Sequence, residues 1–239
     1  MKNLKRVNIV TTILIVLVAG CFMAGCQQEE YYSCDPEEDA IVKENIVDIR
    51  KMNSAEWFTV SENFKRPVFR AFTPIQRQNL WIDKLNETIE SFQWSGLEKE
   101  HIALLRDYVV DHPELFCSTD TLVRKNCQNF RESWFAYAQN SLGWTTQQIS
   151  SIAYSPNQLL NQSGVLAHTR TNPSQIFVVN EVPLPEVVRL KSGAEKDCNC
   201  NKAHDFCSYL TECKDTNCVL TVYGCGWIWV GECNGRCDV

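Results

Sequence analysis

Apolar positions recur at helical spacing through the middle of the chain and alternate only near its end. Over residues 40–52 (AIVKENIVDIRKM), Ile41, Val42, Ile46, Ile49 and Met52 fall near one helical face. A second helix is predicted over 54–63, with Ser54 as N-cap and Trp57 and Phe58 turned inward. The clearest helical pattern runs over 74–92: Thr73 is its N-cap, Pro74 occupies the first turn, and Leu80, Trp81, Leu85, Ile89 and Phe92 form the apolar stripe. A helix over 97–110 is stopped by Asp111-His112-Pro113, since a residue before proline is pushed out of helical geometry. A long helix over 119–142 starts from a Thr119 or Asp120 cap and ends at Gly143, and a short one over 145–152 carries a Thr145/Gln148 capping box.

Beyond Ser155 the periodicity fails. Residues 155–197 hold Pro156, Pro173, Pro183 and Pro185, one β-like run from Ile176 to Val179, and the polar stretch LKSGAEKD, which together read as a semi-ordered connector. Alternation then returns in the last forty or so residues. Val219–Tyr223 and Trp227–Gly231 are β-rich runs joined by Gly224-Cys225-Gly226, whose glycines supply the positive φ of a tight hairpin. With period 2, Trp227 and Trp229 share one face and Ile228 and Val230 the other. The predicted fold class is α+β, a mainly helical central domain followed by a small C-terminal module containing a β-hairpin.

Cysteine usage sharpens this picture. Thirteen cysteines are too many for a reducing compartment unless they bind metal. Eight of them, Cys198, Cys200, Cys207, Cys213, Cys218, Cys225, Cys233 and Cys237, crowd into residues 198–239. So small a core rarely outweighs chain entropy unaided, and four bridges supply what apolar area cannot. Their connectivity is open, as eight cysteines allow 105 pairings. Zinc is the competing account, but zinc sites favour paired Cys-x2-4-Cys or Cys/His knuckles, and with gaps of one, six, five, four, six, seven and three residues and only His204 nearby, the first and last gaps make one site at most. No metal and no cofactor is expected. Cys117 and Cys127 are expected to pair, stapling a loop to the long helix; at nine intervening residues they lack the adjacency of a redox Cys-x-x-Cys motif.

The N-terminus supplies the compartment. Lys2, Lys5 and Arg6 precede an apolar run from Ile9 to Gly20 and a small-residue site, the layout of a secretory signal. Val18-Ala19-Gly20-Cys21 resembles the lipobox of bacterial lipoproteins, which implies a signal peptide over 1–20 and acylation of Cys21. Met23-Ala24-Gly25-Cys26 is an alternative, followed by Gln27, Gln28, Glu29 and Glu30, which resemble the acidic tag of some outer-membrane lipoproteins. An uncleaved anchor is a further alternative, since Val7 to Gly25 is nearly long enough to span a bilayer. Every version puts the rest of the chain outside the cytoplasmic membrane, tethered to the cell envelope, periplasmic or surface-exposed. Residues 21–39 read as a polar tether, 40–154 as the helical domain, 155–197 as the connector and 198–239 as the cysteine-rich module.

Charge and motif content narrow the partners. With a net charge of -6 there is no global basic field for nucleic acid. His101, His112, His168 and His204 are scattered, and no Gly-x-Ser-x-Gly, phosphate loop or His-Glu-x-x-His occurs, so no enzymatic activity and no catalytic residue is expected. His101 reads as solvated surface.

The run Cys198-Asn-Cys200, Asp205-Phe-Cys207, Leu210-Thr-x-x-Cys213, Tyr223-Gly-Cys225-Gly-Trp227 and Cys233-Asn-Gly-x-Cys237 resembles the fulvocin C-related bacteriocin family of Bacteroidetes. The likeness is confined to about 40 of 239 residues. It implies a four-disulfide scaffold and, from its founding member, antibacterial activity. Two functions are thus expected as alternatives. One is a bacteriocin-like module, released by cleavage in the connector, with Trp227, Ile228, Trp229 and Val230 as an apolar tip against a protein receptor on a target cell; the alternative for the two tryptophans is that at least one packs over the disulfides as core. The other is a non-toxic surface module binding a partner on a helical stalk. Within 198–239, Lys202, Lys214 and Arg236 stand against Asp205, Glu212, Asp215, Glu232 and Asp238, so nothing draws the module to anionic lipid.

Overall fold

The structure, a computed structural model, describes residues 31–167, 198–202, 213, 214, 218 and 220–237. The signal and lipidation segment, including Cys21 and Cys26, the run Ile176–Val179 and Cys207 lie outside the described residues. Over the described residues the fold is α+β: mostly helical, with a two-stranded antiparallel sheet near the C-terminus.

Helix α1 (Pro36–Glu44) begins where Asp35 accepts from the backbone N–H groups of Glu37 and Glu38. The expected tether to residue 39 therefore ends earlier. Asp39 is buried and accepts from Tyr32 N at 2.7 Å, docking the incoming chain on the domain. The single helix expected over 40–52 is two, α1 and α2 (Ile46–Ile49), because Asn45 at φ -98°, ψ 9° turns its side-chain amide onto Ile41 O. The helix expected over 54–63 is the single turn α3 (Ser54–Trp57), capped reciprocally by Asn53 and Glu56, not by Ser54. Helix α4 (Lys65–Ala71) was not readable from the pattern. Pro67 resembles a breaker there, but it sits in the first turn, where no intrahelical N–H is needed.

The longer helices follow their local signals. They are α5 (Pro74–Ser91), capped by Thr73 with Gln76; α6 (Gly96–Asp111), capped by Ser95 with Glu98; α7 (Thr121–Asn140), capped by Asp120; and α8 (Thr146–Ala153), with the Thr145/Gln148 box. A 3-10 turn, Pro113–Phe116, joins α6 to α7. Trp57, Phe64, Phe69, Leu80, Trp81, Leu85, Ile102, Leu105, Phe116 and Trp134 are fully buried and form the centre of the core. His101 belongs to it as well, contrary to the surface position expected: it stacks on Trp134 at 4.4 Å, donates through Nε2 to Trp134 O, and receives Trp134 Nε1 on its own carbonyl.

Residues 155–167, expected as the start of a loose connector, pack onto the helices. Leu159 and Leu166 form an antiparallel bridge. Asn157 is buried and ties two lysines: Lys65 Nζ donates to Asn157 Oδ1 at 2.8 Å, and Lys84 Nζ donates to the carbonyls of Ser151, Ser155 and Asn157 at 2.8, 3.0 and 2.7 Å. Burial pushes the Lys84 ammonium down to about 7, with Glu87 opposing it. Three carbonyl acceptors use all three of its N–H donors, so this lysine is a strut between α5 and the 151–157 segment.

The sheet pairs β1 (Thr221–Cys225) with β2 (Gly231–Cys233), in register Thr221↔Cys233 and Cys225↔Gly231 with an irregularity between. The second β-rich run expected over 227–231 is therefore mostly not strand. Trp227–Trp229 is a 3-10 turn forming the hairpin loop, with Ile228 and Trp229 at φ +42° and +55°. Between described residues three bridges are seen: Cys198–Cys218, Cys200–Cys213 and Cys225–Cys233. Cys237 is disulfide-bonded too. Gly235 lies where a Cβ would come within 2.6 Å of Cys213 Sγ, so glycine is required at that crossing.

Candidate functional site

Trp227, Ile228 and Trp229, expected as an apolar tip or with at least one tryptophan packed over the disulfides, are buried, and against the helical domain. Trp227, Ile228 and Trp229 are 4%, 0% and 5% exposed. They are inserted into the helical domain. Trp227 meets Trp134, Tyr154 and Phe130 edge-on at 5.0, 5.6 and 6.5 Å, and Trp229 meets Phe69 and Trp57 at 5.2 and 6.0 Å. Trp229 Nε1 donates to Tyr154 O at 2.9 Å. The period-2 face assignment fails because positive φ at two successive residues turns both indoles and Ile228 into the same core. A β-branched residue at φ +42° is strained by about 1–3 kcal/mol, and burial of the three side chains outweighs that cost. Val230 is half-buried at the edge of this plug.

Arginines of α4 and α5 fasten the hairpin from the helical side. Arg66 Nε donates to Gly224 O, with its guanidinium 5.1 Å from the Trp229 ring. Arg70 donates to Tyr223 O, Thr221 Oγ1 and Tyr32 O. Arg77 donates to the carbonyls of Phe69, Arg70 and Phe116 and lies 4.4 Å from the Tyr223 ring centroid. None of these roles was read from the sequence. The available signal was the i, i+4 spacing of Arg66 and Arg70 in an acidic chain.

Where the plug enters, a groove of about 300 Å3 opens between α7 and the hairpin loop. Leu115, Val123, Trp227 and Val230 form its apolar wall. Arg124, Cys127, Gln128 and Arg131, spaced along one face of α7, form the opposite side, and Asn201 and Glu232 stand at the module end. Glu232 accepts from Asn234 Nδ2, and Asn201 Nδ2 donates to Glu232 O. The size is at the lower end for small-molecule pockets, which run from about 300 to 1,000 Å3.

Cys127 and Cys117 are not bridged, a correction to the pairing expected for them. Cys127 faces inward on α7 and is 7% exposed, whereas Cys117 ends the 3-10 turn exposed, with Sγ turned to Glu114 O. The Cys127 thiol is pushed up to about 11 by burial, with Arg131 and a hydrogen bond from Tyr108 opposing this. Burial likewise raises the Tyr108 phenol, which stacks on Phe130 at 3.7 Å. A thiol so held is protonated at neutral pH and a poor nucleophile. Among the described residues no group of three or more His, Cys, Asp or Glu side chains is placed to hold a metal ion.

The bridges within 198–237 are of the kind that form and persist in oxidising compartments, so the folded chain belongs outside the reducing cytoplasm, in the envelope or beyond it. Among the described residues no helix is long and apolar enough to cross a membrane. No family model, curated protein or solved structure matches the chain.

Proposed function

We propose that this chain is a lipid-anchored bacterial envelope protein, acylated at Cys21 (alternatively Cys26), in which the fulvocin C-like module is a permanent part of a binding domain and not a toxin awaiting release. The observation that carries this reading is the burial of Trp227, Ile228 and Trp229 among Trp57, Phe69 and Trp134 of the helical domain. A released module would expose two indoles and an isoleucine and leave a matching hole in the helical core, a cost of several kcal/mol on each side. The groove between α7 and the hairpin exists only while the two parts are joined. That favours recognition of a partner by the joined domain over killing by the freed module.

Two measurements test this. Intact mass and envelope fractionation of the mature protein, with Cys21→Ala and Cys26→Ala variants, identify the acylated cysteine; a soluble, unacylated product from the native chain overturns the anchor. Residues 27–239 and the isolated peptide 198–239, applied to a broad panel of bacteria, are expected not to inhibit growth. Killing by either restores the bacteriocin reading.

A further inference from the structure

Lys65, Asn157 and Glu62 meet in a cluster assembled from two distant parts of the chain. Lys65 opens α4 and Asn157 follows α8, 92 residues later, and Lys65 Nζ donates to Asn157 Oδ1 at 2.8 Å. Both residues are buried, at 2% and 4% exposure. Glu62 begins the 3-10 turn Glu62–Phe64, and its i, i+3 spacing to Lys65 puts the two side chains on one side of that turn. Glu62 Oε2 pairs with Lys65 Nζ at 3.2 Å, and Glu62 Oε1 accepts from Asn157 Nδ2, also at 3.2 Å. One carboxylate thus reaches both nitrogens, the amine and the carboxamide NH2. A donor on one side and an acceptor on the other set the orientation of the carboxamide.

These are the three side chains that an amine-for-amide exchange needs. A nucleophilic amine has to lose its proton, and burial lowers the Lys65 pKa, with the charge and hydrogen bond of Glu62 opposing it. The electrophile has to be held still. Asn157 N donates to Ser155 Oγ at 3.2 Å, and Asn157 O accepts from Lys84 Nζ at 2.7 Å. The acid–base group has to lie within hydrogen-bond reach of the atom that gives up the proton and the atom that receives it, as Glu62 does. Trp57, fully buried with its ring 6.0 Å from Lys65 Nζ, excludes water from the inner side. Glu62, its side chain 34% exposed, stands at the outer side, where a leaving group can depart.

We propose that Lys65 and Asn157 join in an intramolecular isopeptide bond, made by the folded chain on itself with Glu62 as the proton carrier. Glu62 takes a proton from the Lys65 ammonium, and the neutral Nζ attacks Asn157 Cγ to give a tetrahedral adduct. Glu62 relays protons from Nζ to Nδ2, the Cγ–Nδ2 bond breaks, and the nitrogen leaves as ammonium. One C–N bond forms and one breaks, Glu62 ends as the carboxylate it began as, and no oxidant, reductant or cofactor is consumed. The bond ties the start of α4 to the segment after α8. Those two places also hold the plug: Arg66, next to Lys65, lies over the Trp229 ring, and Tyr154, three residues before Asn157, accepts its Nε1–H. The cross-link therefore fixes the seat of Trp229 without depending on redox conditions, and it stands independently of the function proposed above.

The test is a fragment map of the purified mature protein, reduced, alkylated, digested and read by mass spectrometry. The expected result is a branched fragment carrying both Lys65 and Asn157, lighter than its two linear parts together by one ammonia. Whole-chain mass alone does not decide the matter, because closure of Asn157 to a succinimide also expels ammonia; only the cross-link joins the two fragments. Lys65→Arg keeps the charge and a donor but is not expected to attack, Asn157→Ala removes the electrophile, and Glu62→Gln removes the proton carrier while keeping its shape. Each is expected to give linear fragments only, with circular dichroism reporting whether the helices are retained. A native chain that yields Lys65 and Asn157 solely in linear fragments overturns the proposal, whether or not any variant folds. Cross-linking to the native extent in Glu62→Gln overturns the role given to Glu62.

Discussion

Trp227 of the cysteine-rich module lies 5.0 Å from Trp134 of α7, ring centroid to ring centroid, at an interplanar angle of 69°. Edge-to-face geometry of this kind is favoured by the aromatic quadrupole and adds about 0.5–1.5 kcal/mol to the area buried. The contact joins a hairpin loop to the middle of a helix far away in sequence, so the module and the helical domain share one core. Trp227→Ala and Trp229→Ala should each destabilise the whole domain by about 3–5 kcal/mol, the range for removing a large buried aromatic. Chemical denaturation followed by far-ultraviolet circular dichroism measures this on the helices, not on the module. A helical transition left in place by either substitution would mean that the indoles are not seated in the core.

The hairpin that carries the plug is closed by Cys225–Cys233, eight residues apart in sequence. For a loop of this size the chain-entropy model gives about 2–3 kcal/mol. Replacing both cysteines by alanine is expected to lower stability by that amount and to loosen the Trp229 Nε1 to Tyr154 O bond, read as faster exchange of that indole proton. Peptide mapping without reduction should recover Cys198–Cys218 and Cys200–Cys213 in addition. Any other pairing of these four cysteines contradicts the fold.

Cys117 and Cys127 should differ sharply as thiols. Cys117 is exposed, whereas Cys127 is buried and pushed up to about 11, which leaves roughly one thiolate in a thousand at pH 8. Alkylation of the native protein is expected to label Cys117 within minutes and Cys127 slowly, with the two rates converging in denaturant. A Cys117–Cys127 bridge would protect both.

How far the sequence foretold these features depends on the range of the interaction behind each one. The Thr73 and Thr145 caps and the stripe of Leu80, Trp81 and Leu85 were readable because an N-cap and a 3.6-residue period act within a few residues. Asn45 splits α1 from α2 through a side-chain bond to Ile41 O, also local, but competing with an apolar pattern that continues across it. The plug was not readable. Gly-Trp-Ile-Trp-Val alternates as a strand does, and only partners from Trp57 to Tyr154 make positive φ at Ile228 and Trp229 worth adopting. Cys117 and Cys127 were legible as cysteines but not as separate thiols, since helix rotation about α7 decides which way Cys127 faces. The groove was hidden for the same reason: Arg124 and Arg131 are ordinary surface arginines until the hairpin loop is set beside them.

His101 gives the domain a dependence on acid. Burial lowers its pKa from the ordinary value of 6.5, and the hydrogen bond to Trp134 O opposes this without cancelling it. Nε2 carries the proton donated to Trp134 O, so the neutral ring is satisfied where it lies. Charging it places a cation against Trp134, Tyr137 and Trp144, while the Glu98 carboxylate accepts from Trp144 Nε1. Because the folded pKa lies below the unfolded one, the unfolded chain binds more protons between the two values, and stability rises with pH across that window. The contribution of His101 is therefore complete above about pH 6.5 and is lost as pH falls toward its depressed folded value. Melting temperature is expected to drop between pH 7.5 and pH 5.0, and His101→Gln, which can still donate to Trp134 O but does not titrate, should flatten that slope while costing some stability at pH 7.5. A slope unchanged in His101→Gln would assign the acid sensitivity to other groups.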